Sequence, residues 1–178
     1  MRTLVVYYSL TGNTKRTAEL VAAECQADLE RIVDLKDRSG AWALFQTGGE
    51  ALFKRSAPIR PTDMEPGQYD LVILGTPVWA WTMSSPMRTY IEQHAANFKH
   101  VAFFCTEGGT GGQRTFRHMT ELAGKQPIAT LEITESDLKT DRDREKTTAF
   151  VNAVARFSDA ALRQTFVAGE GASPEAAE

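Results

Sequence analysis

The stretch Leu4-Val5-Val6-Tyr7-Tyr8-Ser9-Leu10-Thr11-Gly12-Asn13-Thr14 decides how this chain is read. Its first residues form a continuous apolar run, the pattern of a short strand covered on both faces. A hydroxyl-rich turn with one glycine follows, and a helical pattern opens at Lys15. Such a turn aims several main-chain N–H groups and hydroxyls at one spot before a helix N-terminus. The orphan amides and the helix dipole both favour an anion there. The turn also lies at the carboxyl end of the first strand, where open α/β sheets place their ligands. An ordinary helix start uses the same residue types as caps. The polar side chains of Ser9, Thr11, Asn13 and Thr14 exceed what one cap requires. A phosphate-bearing ligand is the first expectation. At roughly 1.5–3 kcal/mol per hydrogen bond to a charged group, a handful of bonds supplies most of a micromolar affinity of about 8 kcal/mol.

Outward from this point, strand and helix patterns alternate. Residues 4–8, 71–74 and 101–104 are short apolar runs, whereas 29–35 and 128–133 alternate apolar with polar, as at less covered sheet edges. Helical stripes fall at Ala18, Val21, Ala22 and Cys25, and at Trp42, Phe45, Gly49, Leu52 and Phe53. Ser84-Ser85-Pro86 reads as a capped helix start leading into 87–96. Phe116, Met119 and Ala123 make a fourth stripe; Phe150, Val154, Phe157 and Ala161 make a fifth. Five strand–helix units predict an α/β fold, a doubly wound parallel sheet with helices on both faces. A proline-containing linker at 56–67 joins the second helix to the third strand. The domain is expected over residues 1–168, with 169–178, built only from Gly, Ser, Pro, Ala and Glu, as a mobile tail.

A chain of 178 residues is large enough to bury a core without disulfides or metal. A net charge of −3 argues against nucleic acid or an anionic membrane as partner. No apolar run approaches the roughly 20 residues of a membrane span. The N-terminus enters a strand at once, leaving no room for a signal peptide. Cys25 and Cys105 form no metal-spaced or redox motif, and His94 and His100 lack ligand spacing. A cytoplasmic, reduced protein without metal is the expectation.

Two further loops cluster with the phosphate turn at the topological switch point. Gly75-Thr76-Pro77-Val78-Trp79-Ala80-Trp81-Thr82 brings a pair of tryptophans beside it. One of them is expected to offer a flat apolar face to a planar ring, the other to plug the following helix. Thr106-Glu107-Gly108-Gly109-Thr110-Gly111-Gly112 follows the fourth strand. Its glycines cost conformational entropy and let backbone amides approach a polar ring edge; Glu107 is expected to be solvated charge. Arg114, Arg117, His118 and Lys125 read as the solvated face of the fourth helix.

These residues resemble the flavodoxins and flavodoxin-like FMN proteins. The resemblance rests on Ser9-x-Thr11-Gly12-Asn13-Thr14, on Thr76-Pro77-x-Trp79, and on the glycine-rich loop after strand four. It implies a five-stranded sheet in the order 2-1-3-4-5, with FMN held by the three loops. Ser9, Thr11, Gly12, Asn13 and Thr14 would then hold the 5′-phosphate. Thr76, Pro77, Val78, Trp79, Ala80 and Trp81 would border the ribityl chain and one ring face. Cys105, Thr106, Glu107, Gly108, Gly109, Gly111 and Gly112 would meet the pyrimidine edge and the other side.

Two departures from the family bear on activity. Flavodoxins commonly carry an aromatic residue in the loop after strand four, where this chain has glycine, and they are usually strongly acidic. A ring left open on one face accepts a second flat molecule at about 3–3.5 Å, as hydride transfer requires. The weak charge offers little steering of a basic protein partner. The resemblance therefore implies an oxidoreductase passing electrons or hydride between NAD(P)H and a quinone or other acceptor through bound FMN. The cofactor carries the chemistry, so no catalytic triad is expected. A non-catalytic electron carrier and an FMN-binding regulatory protein without turnover are the alternatives. Trp81 as an outer wall would favour the carrier. The apolar second helix is expected in the core, with a homodimer contact as the alternative. Receiver-domain acids, a Cys-x5-Arg anion loop and a nucleotide P-loop are all missing from the sequence.

Overall fold

The structure, a computed structural model, describes residues 1–36 and 56–170, with side chains as far as Ala160. Strand β1 (Thr3–Tyr7) is wholly buried. It pairs in parallel with β2 (Asp28–Arg31) on one side and β3 (Leu71–Trp79) on the other. β3 pairs with β5 (His100–Glu107), and β5 with β6 (Pro127–Thr134), after a register shift between Val101 and Phe103. The order β2-β1-β3-β5-β6 is the expected 2-1-3-4-5 path, with one short strand added. That addition, β4 (Thr82–Met83), folds back antiparallel on β3.

Alternation along the strands sorts the core into two layers. Leu4, Val6, Val72, Leu74, Val101 and Phe103 pack with Met87, Tyr90 and Ile91 of α2 (Ser85–His94) and with Phe116 and Met119 of α3 (Gly112–Ala123). Val5, Ile73, Ala102, Phe104 and Ile133 pack with Ala18 and Val21 of α1 (Asn13–Cys25) and with Phe150 and Val154 of α5 (Arg142–Glu170). Each fully buried side chain of this kind contributes roughly 1.5–3 kcal/mol, which is why the central runs 4–7, 71–74 and 101–104 are apolar while the edge strands β2 and β6 alternate. A short helix, α4 (Glu135–Lys139), precedes α5 and starts with a reciprocal Thr134–Asp137 capping box.

Strand lengths differ from the expected ones for reasons set by their neighbours. β2 stops at Arg31 rather than Leu35, because β1 runs out of pairing residues at Tyr7. The last rung is Ile32 N–H to Tyr7 O, 2.8 Å; beyond it Asp34 forms an isolated antiparallel bridge to Ile59. Glu30 is turned in, not out, and its Oε2 accepts the Asp63 and Met64 amides at 3.2 and 3.0 Å, pinning the 56–67 linker. β3 and β5, by contrast, support each other beyond the end of β1, through Thr76↔Cys105 and Pro77↔Thr106. Pro77 is tolerated because alternate residues face the same neighbour. Gly75 O accepts from Tyr8 N–H, so Pro77 also faces β1's side, where the ladder has ended.

The fourth and fifth helical stripes are buried as expected up to Val154. The second stripe, Trp42 to Phe53, lies outside the described residues, as does all but the start of the 169–178 tail. Among the described residues no helix is long and apolar enough to cross a membrane.

Candidate functional site

The three loops converge at the carboxyl end of the sheet. In the first, Ser9 is buried and its Oγ accepts the Gly12 N–H at 3.1 Å, leaving the hydroxyl proton free to donate elsewhere. Gly12 stands at the cap of α1 with φ 103°, a conformation that side-chain-bearing residues avoid. No side chain caps this helix, and no acid stands in its first turn. Its first amides and its positive dipole end are thus left for an outside anion. Thr11 and Gly12 are exposed and Asn13 half-buried. Thr14 is buried, and its Oγ1 bonds Thr106 Oγ1 of β5 at 2.8 Å. That bond ties the anion turn to the third loop's strand.

The second loop is a β-hairpin rather than an open loop. Val78↔Met83 and Trp79↔Thr82 pair around Ala80 and Trp81, whose φ values are 46° and 59°. Two central residues at positive φ are what a tight hairpin of matching twist demands, usually met by Asn-Gly. Here each costs on the order of 1 kcal/mol. Surrounding bonds hold the strained turn. Ser84 N–H donates to Thr76 Oγ1 at 3.0 Å, the Thr76 and Ser84 hydroxyls meet at 3.1 Å, and Thr82 Oγ1 bonds His118 Nδ1 at 2.8 Å. Ser84 sits at the cap of α2, but its side chain makes no cap bond; Thr76 has claimed it. His118, expected in the solvated row with Arg114 and Arg117, is half-buried and clamps the hairpin to α3 instead.

The two tryptophans differ in their surroundings. Trp79 sets its ring edge-on to Tyr8, centroids 5.5 Å apart, against the core. Trp81 is 54% exposed at the rim. Its Cδ1 and the Val78 Cγ1 crowd Gly111, where a β-carbon would lie 3.2 and 3.0 Å from them. With φ 128° as well, Gly111 is the point where the second and third loops close on each other.

In the third loop Gly108, Gly109 and Thr110 are exposed, while Cys105, Thr106 and Glu107 belong to β5. Burial holds the Cys105 thiol far above its usual range, with Glu132 and Glu107 adding to the effect, so it is not a nucleophile. Glu107 corrects the sequence expectation of solvated charge. It is only 7% exposed, and burial first, then the neighbouring Glu132 carboxyl, push it up to about 7. Sequence gives no sign of this, because the cover comes from β6 and α3. Among the described residues no cluster of His, Cys, Asp and Glu could hold a metal. His94 is half-buried against Tyr90 and His100 is exposed.

The family model described as Flavodoxin matches residues 2–153. The chain belongs to the flavodoxin family. A flavoprotein from Lactobacillus acidophilus, solved in complex with FMN, is similar at 26% identity and TM-score 0.63, over 78% of this chain and 97% of its own. A chain from Bacteroides eggerthii described as a flavoprotein is similar at 23% identity and TM-score 0.71, over 86% and 98%. A flavodoxin, WrbA-like protein from Agrobacterium tumefaciens is similar at 21% identity and TM-score 0.52, over 87% and 97%. The last two bear on the fold alone. The family match spans all three loops, from the anion turn to the glycine loop.

Proposed function

We propose that this flavodoxin-family chain binds FMN and works as a redox protein, passing electrons or hydride between NAD(P)H and a quinone or another acceptor. FMN supplies one- and two-electron exchange when bound; the chain supplies position and electrostatics. The observation that carries the reading is the start of α1, where an uncapped glycine at φ 103° opens an acid-free first turn. The residues fit a phosphate there: exposed amides, the Thr11 and Asn13 side chains, and a Ser9 hydroxyl with a proton to give. Trp79, held by Tyr8, would border one side of the ring. The amides of Gly108, Gly109 and Gly111 would meet its polar edge. The Thr76 and Thr14 hydroxyls are already bonded within the protein, so their part is chiefly to hold backbone in place.

A carrier that only ferries electrons is the second reading, favoured by Trp81 exposed at the hairpin rim, where it could cover the ring. The proposed setting is the cytoplasm, with small-molecule or protein redox partners. Apoprotein titrated with FMN should become yellow and bind with micromolar or better affinity. Replacing Thr11 by alanine should weaken FMN more than riboflavin, which lacks the phosphate; equal losses would count against the assignment. Rapid NADH or NADPH oxidation in the presence of a quinone supports the reductase, and slow oxidation of a reducible flavin supports the carrier.

A further inference from the structure

Beneath the glycine loop lies a carboxyl pair. Glu107 ends β5 and Glu132 lies on β6, on the sheet face that α3 covers. The Glu132 carboxyl fills the space where Gly112 would carry a side chain, at the first residue of α3. Glu107 is more than nine-tenths buried, and neither of its oxygens has a hydrogen bond as the groups stand. Two carboxylates are both acceptors, so no bond can form between them until one carries a proton. A buried, ionised and unsatisfied carboxylate beside a second anion is costly.

The neighbouring charges relieve it only in part: Lys146 draws Glu107 towards the carboxylate, but burial and Glu132 outweigh it. Lys146 of α5 is the nearest cation, but its Nζ is held by Asp137 Oδ2 at 2.6 Å and by the Glu132 carbonyl at 3.3 Å. Arg142 also turns to Asp137, at 3.5 Å. Glu135 of α4 lies over Gly108, and Cys105 of β5 is a neutral thiol. On α3, His118 is engaged with Thr82. Glu132 is half-buried and keeps contact with solvent, whereas both Glu107 carboxyl oxygens are shut off from it.

We propose that Glu107 and Glu132 share one proton beneath the glycine loop, Glu107 as the acid and Glu132 as the carboxylate. This pair acts as a positioning device for the loop that meets the FMN ring. The Glu107 O–H donates to Glu132, its first bond to a partner, while the backbone N–H of Gly112 at the start of α3 pulls the other way, towards the carboxylate. Losing the proton removes the first bond and places a second negative charge under the ring-binding end. Only the link to the ring rests on the FMN reading.

Infrared spectra of the flavin-free protein test the pair directly. From about pH 5 to about pH 9, a protonated-carboxyl C=O band should persist past the range of ordinary glutamates, which titrate near 4.3. It should fade with a midpoint of about 7. Glu107→Gln should lose that band, and Glu132→Gln should lower its midpoint. Both amides can still hydrogen-bond their partner, so both variants should fold. Absence of the band at about pH 6, or its survival unchanged in Glu107→Gln, overturns the pair. In the FMN-loaded protein, the flavin midpoint potential should fall more steeply with pH around neutrality than in Glu107→Gln; identical slopes overturn the positioning role. Because the infrared measurement needs no flavin, its failure is distinct from a failure to bind FMN.

Discussion

Helices α1 and α3 start in nearly the same way and meet opposite electrostatic fates. Each follows a strand of the central sheet, each has a glycine at positive φ in its cap position, and neither has a side-chain cap. Under α3 the protein supplies its own acids, Glu107 and Glu132. The first turns themselves are free of acids in both helices, so the difference lies beneath them. Two helix ends of equal intrinsic appeal to an anion are thus separated by what the neighbouring strand contributes. One is filled from within, and the other is left for a ligand.

The sharpest way to break this contrast is to give α1 an acid of its own. Asn13→Asp puts a carboxylate into the first turn. It should weaken FMN about 100-fold or more, through the loss and repulsion of charge-assisted bonds of roughly 1.5–3 kcal/mol each. Riboflavin affinity should move little, and parallel fluorescence titrations decide; equal loss of both would mean the turn does not hold the phosphate. Gly111→Ala attacks the seam between the loops, where positive φ and the Val78 and Trp81 contacts leave no room. A loss of about 1–3 kcal/mol in urea unfolding is expected. Thr14→Val removes the hydroxyl bridge to Thr106 and should cost about 1 kcal/mol; an unchanged melting curve would remove the bridge from the account. The smallest effect is confined to a pH window. Glu107 holds its proton more tightly folded than unfolded, so its contribution is full below the ordinary value of 4.5 and is lost as pH rises through about 7. Glu107→Gln should flatten that decline in stability, and an unaltered profile would assign it to other groups.

Much of the contrast could be read from the residues, and part of it could not. The apolar runs and the Ser9–Thr14 turn announce a strand, an anion turn and a helix, because each signal is local. The extent of β2 and β3 is not local: it depends on where β1 ends. The hairpin at Ala80-Trp81 lacks the Asn-Gly signature of its turn, and its strain is offset by Thr76, Ser84 and His118, far apart in sequence. Glu107 looked like surface charge because its cover, Glu132 and Gly112, arrives from other elements.

Finally, the sheet does not end flush. β1 stops at Tyr7 opposite Gly75, while β3 climbs four residues further, to Trp79. At about 3.3 Å per residue, that step is roughly 13 Å tall. It makes the rim a length gauge. A molecule anchored by its anionic foot on the low tread reaches the aromatic ledge only if a spacer separates its two ends, so the staircase sorts candidates by reach before any side chain inspects their chemistry.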